Sequence, residues 1–256
     1  VWCWGGSPTS TPVDVNLRIK SYAQPIPTSD EAMPLLAGAV DVSVSKDSRG
    51  HGCAVIGTPD AASGPMGEVW CWGDNSSNAL GTASEESPIY VASPVLHWET
   101  YQPLAGMKAV TAMQNATCAI SADEEASIFC WGADNHGQMG NEGLPAYDFA
   151  APTGAMTHPD MLTAWETHYC GLKGGIAACW GSNSDGQTGL GSTSGTEHAP
   201  TPVDGLPALR SVHAIFQGTC FITEDYTVGC AGSNTYDRFG QGIYYSADYL
   251  PVIGLD

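Results

Sequence analysis

The sequence predicts an all-β repeat protein, and three observations support this fold class. A short strand-like motif that ends in Cys-x-Gly occurs five times along the chain. The 31 glycines and 17 prolines punctuate short segments with alternating apolar residues, as in Val40–Val44. No segment keeps a helical spacing of apolar residues over a dozen positions, so we expect almost no helix. The five copies are Val1–Gly5, Val69–Gly73, Ile128–Gly132, Ala177–Gly181 and Val228–Gly232.

The spacing of these copies predicts the blades of a β-propeller. The closing glycines stand at positions 5, 73, 132, 181 and 232, so the repeat lengths are 68, 59, 49 and 51 residues. A period near fifty with variable insertions is typical of blades of three or four short strands, whereas solenoid repeats are shorter and more regular. We predict a single domain over 1–256 with insertions at 6–39 and 82–105. Its repeat units are approximately 1–66, 67–125, 126–175, 176–225 and a partial 226–256.

A second signature follows the strand in four of the copies. A glycine stands eight residues after the closing glycine of the strand, with Asn, Asp or Gly residues between the two. This composition indicates a repeated turn with positive φ angles rather than a phosphate-binding loop. The second glycines are Gly81, Gly140, Gly189 and Gly240.

Eight of the nine cysteines form local pairs, with one member in the repeated strand and one in the strand before it. Antiparallel neighbours bring opposite Cα atoms to about 4.5–5.5 Å, so we predict four cross-strand disulfides in an oxidising compartment. Zinc is the alternative, although no Cys-x-x-Cys or Cys/His cluster at ligand spacing is present. Cys3 has no local partner, so we expect it to pair outside residues 4–256 or to stay unpaired. The predicted pairs are Cys53 with Cys71, Cys118 with Cys130, Cys170 with Cys179, and Cys220 with Cys230.

The combined pattern resembles a known repeat. Residues 130–140 and 179–189 carry Cys-Trp-Gly, a turn and Gly-Gln-x-Gly, and a cysteine-bearing strand precedes each. This resembles the RCC1-like repeat, of the regulator of chromosome condensation type, in a secreted, cysteine-bearing variant. The resemblance implies a propeller that is commonly a ring of seven blades whose chain ends share one blade. With about five units, this chain is expected to form a small ring or to be part of a larger ring that further repeats or another chain complete.

The first and last copies of the repeat depart from the pattern. Gly5 is not followed by the Asn or by the Gly-Gln-x-Gly turn, Ala231 stands in place of the tryptophan, and Arg238 stands in place of the glutamine. No residue of the nucleotide-exchange activity known in this family can be placed on the sequence.

The charge of the chain disfavours two classes of partner. Asp and Glu number 27 against 8 Lys and Arg, which gives a formal net charge of −19. Such a field repels phosphate backbones and anionic lipid headgroups, so we expect no nucleic-acid binding. No stretch approaches the roughly 20 apolar residues that span a bilayer, so we expect no membrane insertion.

The sequence predicts no catalytic, cofactor or metal site. We interpret the tryptophan of the repeated strand as packing between blades, whereas Trp98 and Trp165 are expected at loop surfaces. The seven histidines have no metal-ligand spacing and are expected on the surface or in turns. No nucleophile elbow, His-Glu-x-x-His helix or P-loop is present, so we predict that the protein is not an enzyme. The dispersed carboxylates, including Asp123–Glu125, leave weak Ca²⁺ binding as an alternative.

Two asparagines fit the N-glycosylation acceptor pattern. They are Asn75, followed by Ser-Ser, and Asn115, followed by Ala-Thr. Both are also expected in turns, so each is either a glycosylation site or only a turn residue. Asn115, in an inter-strand turn, is the better candidate.

These features together predict an extracellular or cell-surface binding or structural module. Its disulfide-stapled blades present loops to a protein or a glycan, or dock in an assembly, because loops on a rigid scaffold commonly carry recognition. A secreted protein inhibitor of an enzyme is one alternative, by analogy of fold. A carbohydrate-active enzyme is another, and it would need two carboxylates across a cleft. The third alternative, a guanine-nucleotide exchange or chromatin-binding factor, is disfavoured by the acidic charge and the paired cysteines.

Overall fold

The structure, a computed structural model, describes residues 2–6, 19–33, 35–45, 50–60, 64–123, 127–140, 147–153, 156–157, 159–235, 237, 239 and 245–251. These residues contain eighteen β-strands and no helix, which confirms the all-β prediction. Accordingly, the described ranges hold no helix that could cross a membrane. The strands are β1 (Trp2–Gly6), β2 (Ile19–Pro25), β3 (Ala39–Val44), β4 (His51–Asp60), β5 (Gly64–Gly73), β6 (Ile89–Pro94), β7 (Met107–Ala112), β8 (Ala116–Ser121), β9 (Ile128–Gly132), β10 (Tyr147–Pro152), β11 (Met161–Trp165), β12 (His168–Lys173), β13 (Ile176–Ser182), β14 (Thr196–Pro202), β15 (Leu209–Ile215), β16 (Gly218–Thr223), β17 (Val228–Ser233) and β18 (Tyr245–Pro251).

The chain forms two compact units. The first comprises residues 1–133 and 146–152, and the second comprises 134–145 and 153–256. Strands β1 to β10 therefore lie in the first unit, and β11 to β18 lie in the second.

Sixteen of the described strands form four antiparallel blades of four consecutive strands. In the first unit, β3 to β6 and β7 to β10 form two blades, which one pairing between Gly67 and Met107 joins into an eight-stranded sheet. In the second unit, β11 to β14 and β15 to β18 form separate four-stranded sheets. Successive strands pair because many connections are short, such as the two-residue turn Gly174-Gly175 between β12 and β13. Strands β1 and β2 form a two-stranded sheet.

The pairing register shows that the first copy of the motif is a blade strand. In three of the four-stranded blades, the register between the third and fourth strands shifts directly after the cysteine of the motif. The β1–β2 pair has the same shift, between Cys3 and Gly5. β1 and β2 therefore correspond to the third and fourth strands of a blade. The three matching shifts lie at Cys71/Gly73, Cys179/Gly181 and Cys230/Gly232.

The glycine that closes the repeated strand is required by the backbone. The φ angle of this glycine lies between 99° and 110° in four copies. A Cβ atom on Gly181 would also lie 2.4 Å from the carbonyl oxygen of Thr167, closer than any side chain can approach. Glycine alone adopts this conformation without strain and leaves room for the preceding turn.

Four disulfides join the second and third strands of the four blades. Each pair stands directly opposite in the antiparallel register, with Cα atoms 4.0–4.1 Å apart. They are the four pairs expected from the sequence. The side chain of Cys3 lies outside the described part of the structure.

Each unit has its own apolar core between its blades. In the first unit, Val55, Val69, Leu80, Val110 and Trp131 belong to one buried cluster. In the second unit, a buried cluster contains Leu172, Val203, Leu209, Val212 and Phe221. Residues from consecutive blades contribute to each cluster, so sheet-to-sheet packing holds neighbouring blades together.

Candidate interaction surface

The turn after the third strand has one construction in all four blades. The side-chain Oδ1 of the Asn or Asp two residues after the closing glycine accepts a hydrogen bond from the backbone N–H five residues later. Burial raises the pKa of the Asp134 carboxyl, whereas the N–H of Met139 and the neighbouring His198 lower it. The recurring Asn and Asp therefore shape this turn. The bonded pairs are Asn75 with Leu80, Asp134 with Met139, Asn183 with Thr188, and Asn234 with Phe239.

The tryptophan of the repeated strand belongs to the scaffold. Trp131 and Trp180 are 0% and 1% exposed. The indole Nε1–H of Trp131 donates to the carbonyl oxygen of Ala79 at 2.8 Å, and that of Trp180 donates to the carbonyl of Gln138 at 3.0 Å. Both acceptors lie in the turn that follows the third strand of the preceding blade. The interpretation as inter-blade packing is confirmed for Trp131 in the first unit, whereas Trp72 is only partly buried.

Two buried histidines each connect consecutive blades through the hydroxyl of a threonine. Thr117 donates its hydroxyl to the carbonyl of Ala79 at 2.9 Å and therefore accepts from Nε2–H of His51 at 2.6 Å. In the second unit, Thr219 donates to the carbonyl of Gln187 at 2.7 Å, and Nε2 of His168 lies 3.0 Å from the same hydroxyl.

The environment of His168 disfavours its protonated form. Burial lowers the pKa of His168 to about 4, although the carbonyls of Gly218 and Trp165 act in the opposite direction. The expectation that the histidines lie on the surface or in turns is wrong for His51 and His168, which are 2% and 1% exposed. The signal in the sequence was their position two residues before a paired cysteine, Cys53 or Cys170.

The connection between β6 and β7 is an ordered loop, which we call the aromatic loop (residues 95–106). Its base is anchored by Val95 and Leu104, which are buried and joined by a 2.8 Å backbone hydrogen bond. At its tip, the N–H of Tyr101 donates to the carbonyl of His97 at 2.9 Å, and the N–H of Trp98 donates to the carbonyl of Ala150 in β10 at 3.0 Å. The backbone of this loop is therefore held from both sides.

The aromatic loop exposes two large rings. Trp98 is 44% exposed and Tyr101 is 60% exposed. His97 stacks on Trp98 with ring centroids 6.5 Å apart, and the rings of Phe149 and Tyr101 form a T-shaped pair with centroids 5.2 Å apart. Nδ1 of His97 accepts a 3.2 Å hydrogen bond from the backbone N–H of Glu99, which fixes the ring that supports Trp98. The expected surface position of Trp98 is confirmed, but that of Trp165 is wrong, because Trp165 lies at the end of strand β11 and is half-buried. Sequence reasoning also missed Tyr101.

The second unit has a related surface feature at the turn between β16 and β17. Tyr226 is 69% exposed, and the guanidinium carbon of Arg210 lies 4.7 Å from the centre of its ring. Nη2 of Arg210 also lies 3.7 Å from Oε2 of Glu224. A tyrosine face and a carboxylate together hold one guanidinium at this turn.

The groove and the acidic residues of the described part of the chain give weaker support for a binding site. An open groove of about 410 Å³ in the second unit is lined by glycines, Leu190, Leu206, Thr201 and Pro202, with Asp204 as its one charged residue. Within the described ranges, no three His, Cys, Asp or Glu residues are grouped so that they could hold a metal ion. Of the acidic run at 123–125, residues 124 and 125 lie outside the described part, as does Arg238.

The two potential glycosylation sites have different surroundings. Asn75 is 4% exposed, and its Nδ2 donates to the carbonyls of Ser84 and Glu86 at 2.9 and 3.4 Å. A glycan on Asn75 would have to displace these bonds. Asn115 is half-buried in the turn between β7 and β8, and its carbonyl accepts from the N–H of Ala133 at 2.8 Å.

Comparison with known proteins identifies the type of blade, although no family model matches the chain. The secretion-regulating guanine nucleotide exchange factor of Mus musculus is 26% identical over 179 residues, which are 62% of this chain and 37% of that protein. Human WBSCR16 is 16% identical with a TM-score of 0.72, over 98% of this chain and 64% of that chain.

Two crystal structures of yeast RCC1 (Prp20) are also similar in fold to this chain. Prp20p from Saccharomyces cerevisiae is 15% identical with a TM-score of 0.69, over 99% of this chain and 59% of that chain. In its complex with Kap60, the yeast protein is 17% identical with a TM-score of 0.68, over 93% and 52% of the two chains. This chain therefore spans less than two thirds of the length of each of these relatives.

Proposed function

We propose that this chain, which folds as RCC1-like β-propeller blades, is an extracellular protein-binding module. The aromatic loop carries the proposal, because it exposes Trp98 and Tyr101 on a backbone that hydrogen bonds hold to a disulfide-stapled blade. Large aromatic side chains supply much of the affinity of protein interfaces, and a rigid loop loses little conformational entropy on binding.

The relatives support protein binding as the type of function. Yeast Prp20 was crystallised bound to Kap60, and the separate crystal structure of Prp20p is accompanied by its binding properties toward Gsp1p and histones. The four disulfides support the extracellular part of the proposal, since such bonds persist in oxidising compartments.

Affinity capture from the native source, with the oxidised chain as bait, tests this function. The captured protein is then purified, and its binding is measured with the chain and with a variant that combines Trp98→Ala and Tyr101→Asn. We expect stoichiometric binding that the variant loses. A partner that binds both forms equally would contradict the assignment of the aromatic loop, and a native protein with free thiols would contradict the extracellular location.

Guanine nucleotide exchange is a second candidate, because it is the activity named for the mouse relative. Release of labelled GDP from purified small GTPases tests it directly. Acceleration by substoichiometric amounts of the chain would establish exchange, whereas unchanged release rates would leave the binding module as the better assignment.

We also propose that further β-strands cover β3, either from additional repeats or from another chain. Val42 and Val44 are 50% and 51% exposed, whereas the residues at the same register positions in β7 and β15 are at most 6% exposed because a preceding blade covers them. An inner strand pair that completes the β1–β2 blade would supply this cover and a cysteine for Cys3. Non-reducing peptide mapping of the native protein should then link Cys3 to a cysteine outside residues 4–256. A free Cys3 thiol in the native protein would contradict this proposal.

A further inference from the structure

We propose that the aromatic loop binds an arginine side chain of the protein partner. The rings of Trp98 and Tyr101 receive the guanidinium group, and the carboxylate of Glu99 forms the ion pair. This inference rests on the proposed protein-binding function and specifies the chemistry of the partner.

The second unit already contains such a guanidinium site, made from the same local elements. Glu224 and Tyr226 stand two residues apart at a turn, and Tyr226 has a positive φ of 67°. The guanidinium of Arg210 lies 4.7 Å from the centre of the tyrosine ring and 3.7 Å from the Glu224 carboxylate. The turn therefore holds arginine by a ring face and a negative charge together.

The aromatic loop has the same two residue types at the same spacing. Glu99 and Tyr101 also stand two residues apart at a turn, and Tyr101 has a positive φ of 54°. Trp98 adds a second exposed ring, and tryptophan has the most favourable ring for a cation. Among the described residues, no lysine or arginine forms an ion pair with Glu99 or lies over either ring. The groups that hold Arg210 in one turn therefore face solvent in the other.

Charge and shape favour arginine over other ligands for these rings. The formal charge of −19 creates a field that attracts cations to the surface. Arginine has a planar, weakly hydrated guanidinium that stacks on aromatic faces, whereas the ammonium of lysine is compact and strongly hydrated. A glycan can also stack on exposed aromatic rings and donate its hydroxyls to the carboxylate of Glu99, but only a cationic side chain is also attracted by the negative charge of that group.

A titration of the oxidised chain with short capped peptides tests the proposal. The probe is acetyl-Gly-Arg-Gly-Arg-Gly-amide, and its matched control carries citrulline, the neutral planar isostere, in place of each arginine. Chemical shifts of the indole N–H groups report the binding. We expect the arginine peptide to bind at least about fivefold more tightly than the citrulline peptide, with an affinity that falls as salt rises.

Substitutions in the loop separate the contributions of Trp98, Glu99 and Tyr101 to binding of the arginine peptide. Trp98→Ala and Tyr101→Asn should each weaken binding of the arginine peptide by about two- to fivefold or more, and asparagine tolerates the positive φ at position 101. Glu99→Gln should weaken binding and reduce its salt dependence. Tyr226→Asn is the matched control, because it makes the same substitution at a positive φ in the second unit, and it should change the affinity by less than about twofold.

Several results would overturn the arginine site. Equal binding of the citrulline peptide, no response to Trp98→Ala, or binding of chito- or cello-oligosaccharides at the loop in place of the arginine peptide would each do so. Circular dichroism and disulfide mapping of each variant establish that it has folded. Binding of the native partner distinguishes this inference from the proposed function. If that binding needs Trp98 but does not change with Glu99→Gln or with replacement of the partner's arginines, the arginine site is refuted and the protein-binding function still holds.

Discussion

The buried His168 predicts how the second unit responds to acid. His168 donates from Nε2 to the hydroxyl of Thr219, which in turn donates to the carbonyl of Gln187. Burial holds the pKa of His168 at about 4, against an ordinary value of 6.5. Below pH 6.5 the unfolded chain therefore takes up a proton at this position, whereas the folded chain does not do so until about pH 4. Stability must fall as the pH decreases through this window.

The size of the loss follows from the two pKa values. Each unit of difference corresponds to about 1.36 kcal/mol, so the full window costs about 3 kcal/mol. At pH 4.5 most of this loss is present, about 2–3 kcal/mol relative to pH 7.5. A typical domain has only about 5–15 kcal/mol of stability, so the effect is large enough to measure.

Denaturant unfolding at pH 7.5 and 4.5, with the disulfides intact, tests this prediction. Hydrogen exchange of the β12 and β16 peptides reports the second unit separately from the first. The stability difference between the wild type and His168→Gln should shrink by about 2–3 kcal/mol from pH 7.5 to pH 4.5, because only the wild type loses the contribution of a neutral histidine. The exposed His213→Gln serves as control. Equal pH dependence of the wild type and His168→Gln would refute the reasoning.

Three further predictions concern the scaffold. Ala231→Trp should destabilise the protein by about 1–3 kcal/mol, because Phe221 already occupies the buried space beside Gly189 that the new ring would enter. Adding Phe221→Ala should recover most of this loss in thermal melts. If the double variant recovers no stability, the two side chains do not compete for that space. Asn183→Ala should lower the free energy of unfolding by about 1–3 kcal/mol in denaturant melts. Asn183→Asp should lose less stability, because aspartate, which stands at the equivalent position after β9, keeps the Oδ1 acceptor. Equal losses in the two variants would argue against a stabilising role of the Oδ1 acceptor. Cys118→Ala with Cys130→Ala should lower the unfolding free energy by about 2–4 kcal/mol, and an unchanged melt would argue against a stabilising bond.

The repeat could be predicted from the sequence because each blade is a local structure. Consecutive strands pair through short connections, so the positions of Cys118 and Cys130 within the repeat already place them opposite each other. The closing glycines likewise mark a positive φ that glycine adopts without strain. The tryptophan of the motif was interpretable for the same reason, since a large apolar ring that recurs at one position of a repeat favours burial against a neighbouring blade.

The candidate site depended on contacts between residues distant in the sequence. His51 and Thr117 are 66 residues apart, and their hydrogen bond cannot be inferred from either local pattern. Trp98 could be assigned to a loop, but only the packed structure shows that Ala150 of β10 fixes the loop backbone and that Tyr101 joins it at the surface.

The sequence by itself determined the strands, the turns, the cysteine pairs and the acidic charge of this protein. These properties follow from periodicity, backbone conformation and composition, all of which are local or additive along the chain. Only the tertiary structure decided which polar side chains are buried between blades and which aromatic rings remain exposed. Burial depends on how consecutive sheets pack, and at the aromatic loop that packing leaves Trp98, Glu99 and Tyr101 facing solvent together.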